Sequence, residues 1–465
     1  MPGKYHIETK EVPPRTTTVG RFGIIDLYET CARGCRNCVK KKCIYDIHKK
    51  EFDFAHSLDR PTEFMNECMN CLMCVQNCTR GALTRTQNPE YTWLGNEYWK
   101  PAIIAGIWKM AATAKLPVSG AGYGGPFSGP GFDSMWTDMS EIVRPTRDGI
   151  HGREYISTSV DIGGLPSNLE FGPRGELLGE ESPVIELPVP FILEVPPLGQ
   201  ISRNVLEAMA RAARGMDTLF ALDAEDAEEF AAEFAGWLAP RVKSSAIDKH
   251  AALIKSVRMV CLEDSPDALD AVARVKATNP GAVVRIRLVL GDGAEARVVE
   301  LVEAGAEAIQ LSADINGDIV YSDGRVEFIK DAFRRIHSLL VDRCVRDRAT
   351  LIADGGIAMA EHLAKIIICG ADCASLGIPF LVAMECRMCG ACSRGVECPV
   401  NMSEVPPEDG AWRVMNLAAA WRNQLLEVLG AMGIREARRL RGEFGRAMFR
   451  EDLERDTFQK IFAGA

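Results

Sequence analysis

Residues 350–377 read TLIADGGIAMAEHLAKIIICGADCASLG. A short apolar run, Thr350–Ala353, ends in Asp354-Gly355-Gly356, and a longer stretch of helical composition follows. Gly370-Ala371-Asp372 then leads through a second apolar run to Leu376-Gly377. Strand, glycine turn, helix and strand in this order imply parallel strands joined by crossover helices. The alternation extends outward from here to about residue 185. Its candidate strands are Phe191–Val195, Thr218–Leu222, Arg258–Leu262, Val283–Leu290, Ala308–Ser312, Thr350–Ala353 and Asp372–Leu376. An α/β fold of the (β/α)8 TIM-type barrel class fits best, since such a barrel needs about 250 residues and residues 185–400 supply most of them. A doubly wound sheet is the runner-up.

The loops after the seventh and eighth strands of such barrels often cradle a phosphate through backbone N–H groups. Gly355, Gly356 and Gly377 fall there and point to FMN, although Asp-Gly-Gly alone is also a common turn. Further upstream, residues 119–132 carry Gly120, Gly122, Gly124, Gly125, Gly129 and Gly131. That density is too flexible for a helix or strand and reads as a connector.

Ahead of the barrel lie two cysteine runs, Cys31, Cys35, Cys38 and Cys43, then Cys68, Cys71, Cys74 and Cys78. The second has the spacing of a bacterial ferredoxin, in which three thiolates hold one [4Fe–4S] cluster and the fourth reaches its neighbour. The expected ligand sets are therefore Cys31, Cys35, Cys38 and Cys78 for one cluster, and Cys43, Cys68, Cys71 and Cys74 for the other. The first run departs from the usual pattern in its wider gaps, and Thr79 stands where a proline commonly follows. Zinc is the rival for close cysteines, but two four-membered runs able to exchange their last ligands fit a double-cluster module better. A third group, Cys386, Cys389, Cys392 and Cys398 followed by Pro399, has ligands enough for one more cluster. Its longer last gap leaves [4Fe–4S], [3Fe–4S] and zinc open. Cys261, Cys344, Cys369 and Cys373 sit among apolar residues and read as small buried hydrophobes.

The expected organisation is a ferredoxin-like double-cluster module at 1–100, a connector at 101–184, the barrel with the third cysteine group at 185–400, and a helical tail at 401–465. A chain of 465 residues with 47% apolar content suits a multi-domain globular protein. A net charge of −10 and pI near 5.4 give no electrostatic footprint for nucleic acid. No apolar stretch reaches the roughly 20 residues of a membrane-spanning helix; Pro101 to Ala114 comes nearest and is interrupted by Lys109. No secretory segment opens the chain, and clustered thiols need reducing surroundings, so the cytoplasm is the expected compartment.

The stretch Val345-Arg-Asp-Arg-Ala-Thr-Leu-Ile-Ala-Asp-Gly-Gly-Ile357, then Gly370-Ala371-Asp372 and the segment ending Cys398-Pro399-Val400, resembles the FMN-binding domain of glutamate synthase in its ferredoxin-bearing archaeal-type form. Gln424-Leu-Leu-Glu-Val-Leu-Gly-Ala-Met-Gly-Ile-Arg435 and Leu440-Arg-Gly442 resemble that domain's helical tail. The likeness spans roughly residues 140–445. It implies FMN, with Asp354, Gly355, Gly356 and Gly377 among its contacts and the three glycines at its phosphate. Arg287 falls where the family has a lysine against the flavin ring.

Several family motifs are rewritten. Met-Ser-Phe-Gly-Ala-Leu-Ser becomes Pro196-Pro-Leu-Gly-Gln-Ile-Ser202, keeping Gly199 and Ser202 as small or polar candidate contacts. Gly-Glu-Gly-Gly is replaced by Ala221-Leu-Asp-Ala-Glu-Asp226, and the Gln-Gly-Ala-Lys-Pro-Gly loop is missing near Leu262-Glu-Asp-Ser-Pro266. His-x-Gly-Gly-Thr-Gly becomes Ala313-Asp-Ile-Asn-Gly-Asp318. The resemblance assigns those loops to the 2-imino acid, so their loss argues against glutamate as product. Pro2 stands where a glutamine-hydrolysing enzyme would carry an N-terminal cysteine. The expectation is an electron-transfer subunit with three iron–sulfur clusters and FMN, working with redox protein partners. The alternative is a ferredoxin-dependent enzyme that reduces an imino or keto acid.

Overall fold

Eight parallel strands close into a barrel: β1 Phe191–Glu194, β2 Phe220–Asp223, β3 Leu238–Arg241, β4 Met259–Glu263, β5 Val283–Val289, β6 Ala308–Ser312, β7 Thr350–Asp354 and β8 Cys373–Leu376. Each pairs with its successor, and β8 returns to β1 through Ala374↔Phe191, Ser375↔Ile192 and Leu376↔Leu193. This computed structural model describes residues 5–16, 19–26, 43–44, 64–65, 68, 70–116, 128–137, 155–164, 170–178, 183–199 and 201–462. The strands read as nearly unbroken apolar runs because both faces are covered, one by the barrel interior and the other by helices. In β4, Met259 to Leu262 are all buried.

The strand that sequence reading misses is β3. Its Leu-Ala-Pro-Arg carries Pro240, which has no N–H for a ladder and argues against a central strand. The fold tolerates it because β3 pairs with β2 at four positions but meets β4 only at Arg241↔Cys261.

Described segments of the region expected to be a connector pack on the barrel and its helices. Helix Pro101–Thr113 buries Ile104, Ile107, Trp108, Met110 and Ala111 and packs on helices Ile378–Ala383 and Pro407–Met432. Strands Val160–Gly163 and Val184–Leu187 form an antiparallel pair across the barrel's N-terminal end. There the Thr350 hydroxyl accepts from Gly163 N and donates to Gly163 O, both at 3.0 Å.

The tail is helical only in part. After Pro407–Met432 the chain turns at Gly433 (φ 71°), the left-handed conformation that ends helices. It then forms strand Ala447–Phe449, antiparallel to Met135–Thr137.

Toward the N-terminus, strands Phe22–Asp26, Phe64–Met65 and Leu83–Gln87 make an antiparallel sheet beside the short helix Met73–Gln76. Cys31, Cys35 and Cys38 lie outside the described residues, as do Gly120, Gly122, Gly124 and Gly125. Among the described residues no helix is long and apolar enough to cross a membrane.

Cys261, Cys369 and Cys373 are buried, as read from the sequence. Burial pushes the Cys261 thiol up to about 11 and the Cys369 thiol up to about 12, so both stay protonated. Cys344 is exposed instead. It follows helix Ile329–Asp342 with φ 57°, a helix-ending position at the surface, in keeping with the charged Asp342, Arg343, Arg346 and Asp347 around it in sequence.

Candidate functional site

The C-terminal ends of the strands surround a cavity of about 320 Å³, lined by the loops after β1, β6, β7 and β8 and by Trp99. Gly355, Gly356 and Gly377 are all on its wall. Gly355 and Gly356 have φ of 109° and 68°, a region that glycine enters freely. A Cβ at Gly355 would lie 2.5 Å from Asp314 O, at Gly356 2.7 Å from Gly317 Cα, and at Gly377 2.7 Å from Glu194 O. The glycines thus let neighbouring loops close on one another. Their amides donate no hydrogen bond to any described residue. Three unpaired N–H groups on one cavity wall fit an anionic phosphate.

Beneath the rim lies a buried ionic network. Glu194, at the end of β1, accepts from Arg285 at 3.2 Å and Arg241 at 3.3 Å, and also from the Ser375 hydroxyl. Burial alone would raise the Glu194 carboxyl, but Arg285 and Arg241 outweigh it and hold the group below the usual range. Arg285 is fully buried, and its Nε and Nη2 have no hydrogen-bond partner among the described residues. Arg287 pairs with Glu263 at 3.2 Å and approaches Asp354 at 3.8 Å. Asp354 accepts from Gln310 Nε2 at 2.9 Å and Ser312 Oγ at 2.8 Å. Burial, with the Glu194 charge next, pushes its carboxyl up to about 6.

The sequence-derived candidates separate here. Gly199, Arg287, Asp354, Gly355, Gly356 and Gly377 all line the cavity. Ser202 does not: it caps helix Arg203–Met216 by accepting from Val205 N, and its hydroxyl donates to Met402 O. Sequence reading missed Glu194, Asp223, Arg241, Arg285 and Trp99. Charged residues inside or ending apolar strands, such as Glu194 after Phe191-Ile-Leu, were the available signal.

Trp99 reaches the mouth from the N-terminal region. Its indole donates to Ile315 O at 2.9 Å, while Asn96 donates to Asn316 and the Tyr98 hydroxyl to Gly356 O. The Trp99 and Asn96 contacts fall within residues 313–318, the segment that differs from the family's His-x-Gly-Gly-Thr-Gly loop.

The third cysteine group borders the cavity. A Cβ on Gly199 would lie 3.3 Å from Cys392 Cβ. Gly95 N donates to Arg387 O at 3.1 Å, and Glu385, just before Cys386, accepts from Arg15 N, Thr16 N and Thr16 Oγ1. The second and third cysteine groups use one backbone device. In Cys68–Cys74 the residues on either side of the middle cysteine, Asn70 and Leu72, have φ of 54° and 59°; in Cys386–Cys392 Met388 and Gly390 have 50° and 66°. Met388 N donates to Cys386 Sγ at 3.4 Å and Ala82 N to Cys78 Sγ at 3.3 Å. Backbone donors to sulfur and close-set thiols are the donor chemistry of iron–sulfur ligation. Among the described residues, however, no three His, Cys, Asp or Glu side chains converge as a metal site.

Residues 253–435 match the family described as the conserved region in glutamate synthase. An archaeal-type glutamate synthase [NADPH] from Dehalococcoides mccartyi is 25% identical, covering 90% of this chain and 93% of that protein. Both comparisons place this chain's similarity in the glutamate synthase family. The archaeal glutamate synthase [NADPH] of Archaeoglobus fulgidus is 23% identical over 92% of this chain and 94% of its own length. Among solved structures, a flavocytochrome b2 aligns at 13% identity with a TM-score of 0.43, covering 70% of this chain and 78% of that one.

Proposed function

We propose that this glutamate synthase relative is an iron–sulfur and FMN oxidoreductase that serves as an electron-transfer subunit of a larger redox complex. The observation that carries the reading is the closeness of Gly199, on the cavity wall, to Cys392 of the third cysteine group, which a Cβ at Gly199 would touch. Bound in the cavity, FMN would supply the exchange between one-electron and two-electron steps. The amides of Gly355, Gly356 and Gly377 would hold its phosphate, and Arg287 would face negative charge on the reduced ring. Cys386, Cys389, Cys392 and Cys398 would hold the cluster nearest the cavity. The cysteines between 31 and 78 would hold two more. Trp99 closes the mouth over residues 313–318, where a substrate acid would otherwise enter, which favours electron traffic over substrate reduction.

Near full-length similarity to proteins named glutamate synthase [NADPH] favours a second reading, reduction of an imino or keto acid in the same cavity. Anaerobic purification followed by metal, sulfide and product analysis separates the two. The relay reading expects a brown protein with about twelve iron and twelve labile sulfide per chain, the sum of three [4Fe–4S] units, and no glutamate from 2-oxoglutarate, ammonia and a reductant. Stoichiometric zinc without sulfide would end the redox reading, and glutamate formation that depends on Arg287 would establish the second.

A further inference from the structure

Asp354 is anchored on one side only. Gln310 Nε2, Ser312 Oγ and the nearby Arg287 Nε all address its Oδ2. Its Oδ1 accepts no hydrogen bond from any described residue and is not among the sealed, unpaired polar atoms. The side chain is on the cavity wall with 24% of its surface exposed. Glu194 and Ser375 face it from β1 and β8, Arg285 and Arg287 from β5, and Gln310 and Ser312 from β6, while Asp314 lies on the same cavity wall. Both arginines already have carboxylate partners in Glu194 and Glu263. Among the described residues, the Asp354 Oδ1 oxygen is therefore open to a proton beside any charge that arrives in this cavity.

We propose that Asp354 is the proton acceptor of the cavity, binding a proton at Oδ1 when electrons are delivered to a flavin bound beside it. The proposal rests on the FMN reading above. Two electrons leave reduced iron–sulfur clusters, which are oxidised, and the flavin gains both. The flavin takes one proton at N5 with the two electrons and so carries a single negative charge, and a second proton, from hydronium, forms the O–H bond at Asp354 Oδ1 as an O–H bond of hydronium breaks to leave water. A neutral carboxyl then replaces a carboxylate next to the newly negative ring. Burial has already raised this acid to about 6, so a modest further rise from a nearby negative charge carries it through neutral pH. The proton is therefore absent before reduction and bound after it.

The test is the equilibrium of the FMN-loaded full chain with a redox dye of known potential, at pH 6, 7 and 8, for wild type, Asp354→Asn and Ser312→Ala. One coupled proton makes the wild-type reduction equilibrium up to about tenfold more pH-dependent per unit than in Asp354→Asn. Ser312→Ala keeps the carboxyl but removes one bond to its charged form, so its window moves to higher pH. It stands as the second reading should Asp354→Asn fold poorly. Flavin binding in all three proteins with identical pH dependence would overturn the proton role and leave the FMN reading intact. A wild-type chain that binds no flavin would overturn both.

Discussion

The two ends of the barrel are built from similar residues and do opposite things with them. At the N-terminal end, Arg346 donates to His337, Ala349 O, Gly370 O and Asp372, and Arg441 takes the second oxygen of Asp372. A strand pair covers that end, and Thr350 meets both polar groups of Gly163. At the C-terminal end, three glycine amides, two nitrogens of Arg285 and one oxygen of Asp354 have no hydrogen-bond partner among the described residues. Buried polar groups normally find partners because an unmade hydrogen bond is costly. Saturation at one end therefore marks a device for stability, and deficit at the other marks a binding surface.

Substitutions should respect this division. Arg346→Met strands the network around Asp372 and should cost about 3–5 kcal/mol in thermal or chemical unfolding, without changing the relative affinities of ligands at the other end. Acid supplies the next largest effect. Burial, with Lys365 next, lowers the His362 pKa to about 3. Its folded state refuses a proton that the unfolded chain accepts below its ordinary value of 6.5. Stability should fall as pH drops from about 6.5 toward 3, by up to about 1.4 kcal/mol per pH unit from this group. His362→Gln should flatten that slope in urea titrations at pH 6, 5 and 4.

Thr350→Val leaves Gly163 N and O unmatched and should cost about 1–3 kcal/mol, again with ligand binding intact. At the open end the order reverses. Arg241→Gln should cost about 1 kcal/mol or less, because Arg285 still pairs with Glu194. It should weaken FMN roughly tenfold in fluorescence titration by removing a positive charge from the wall. A large stability loss with unchanged FMN affinity would erase the distinction between the two ends.

Much of the closed architecture was legible, because barrel strands covered on both faces are apolar runs between turn residues. Phe191–Glu194 through Cys373–Leu376 follow that rule, and β3 escaped it because Pro240 contradicts the local preference while tertiary pairing accepts it. The open end was legible through its glycines, which signal close backbone approach. What they approach was hidden in the sequence: the partners are the Asp314–Gly317 segment and the β1 end, brought in only by barrel closure. Ser202 looked like a contact because its type suited one, yet a serine before a helical run is as readily a cap. Glu194, Arg241 and Arg285 converge from three strands far apart in the chain, so no local pattern exposes their network. The second and third cysteine groups announced themselves by spacing, and the matching left-handed residues beside Cys71 and Cys389 became visible only in three dimensions.

The most direct test of the open-end account compares FMN with riboflavin, which lacks the phosphate, in titrations of the flavin-free full chain. If the Gly355, Gly356 and Gly377 amides await a phosphate, FMN should bind tighter by roughly 100-fold or more, the worth of charge-assisted hydrogen bonds at that wall. Equal affinity for the two flavins, or binding of neither, would contradict it.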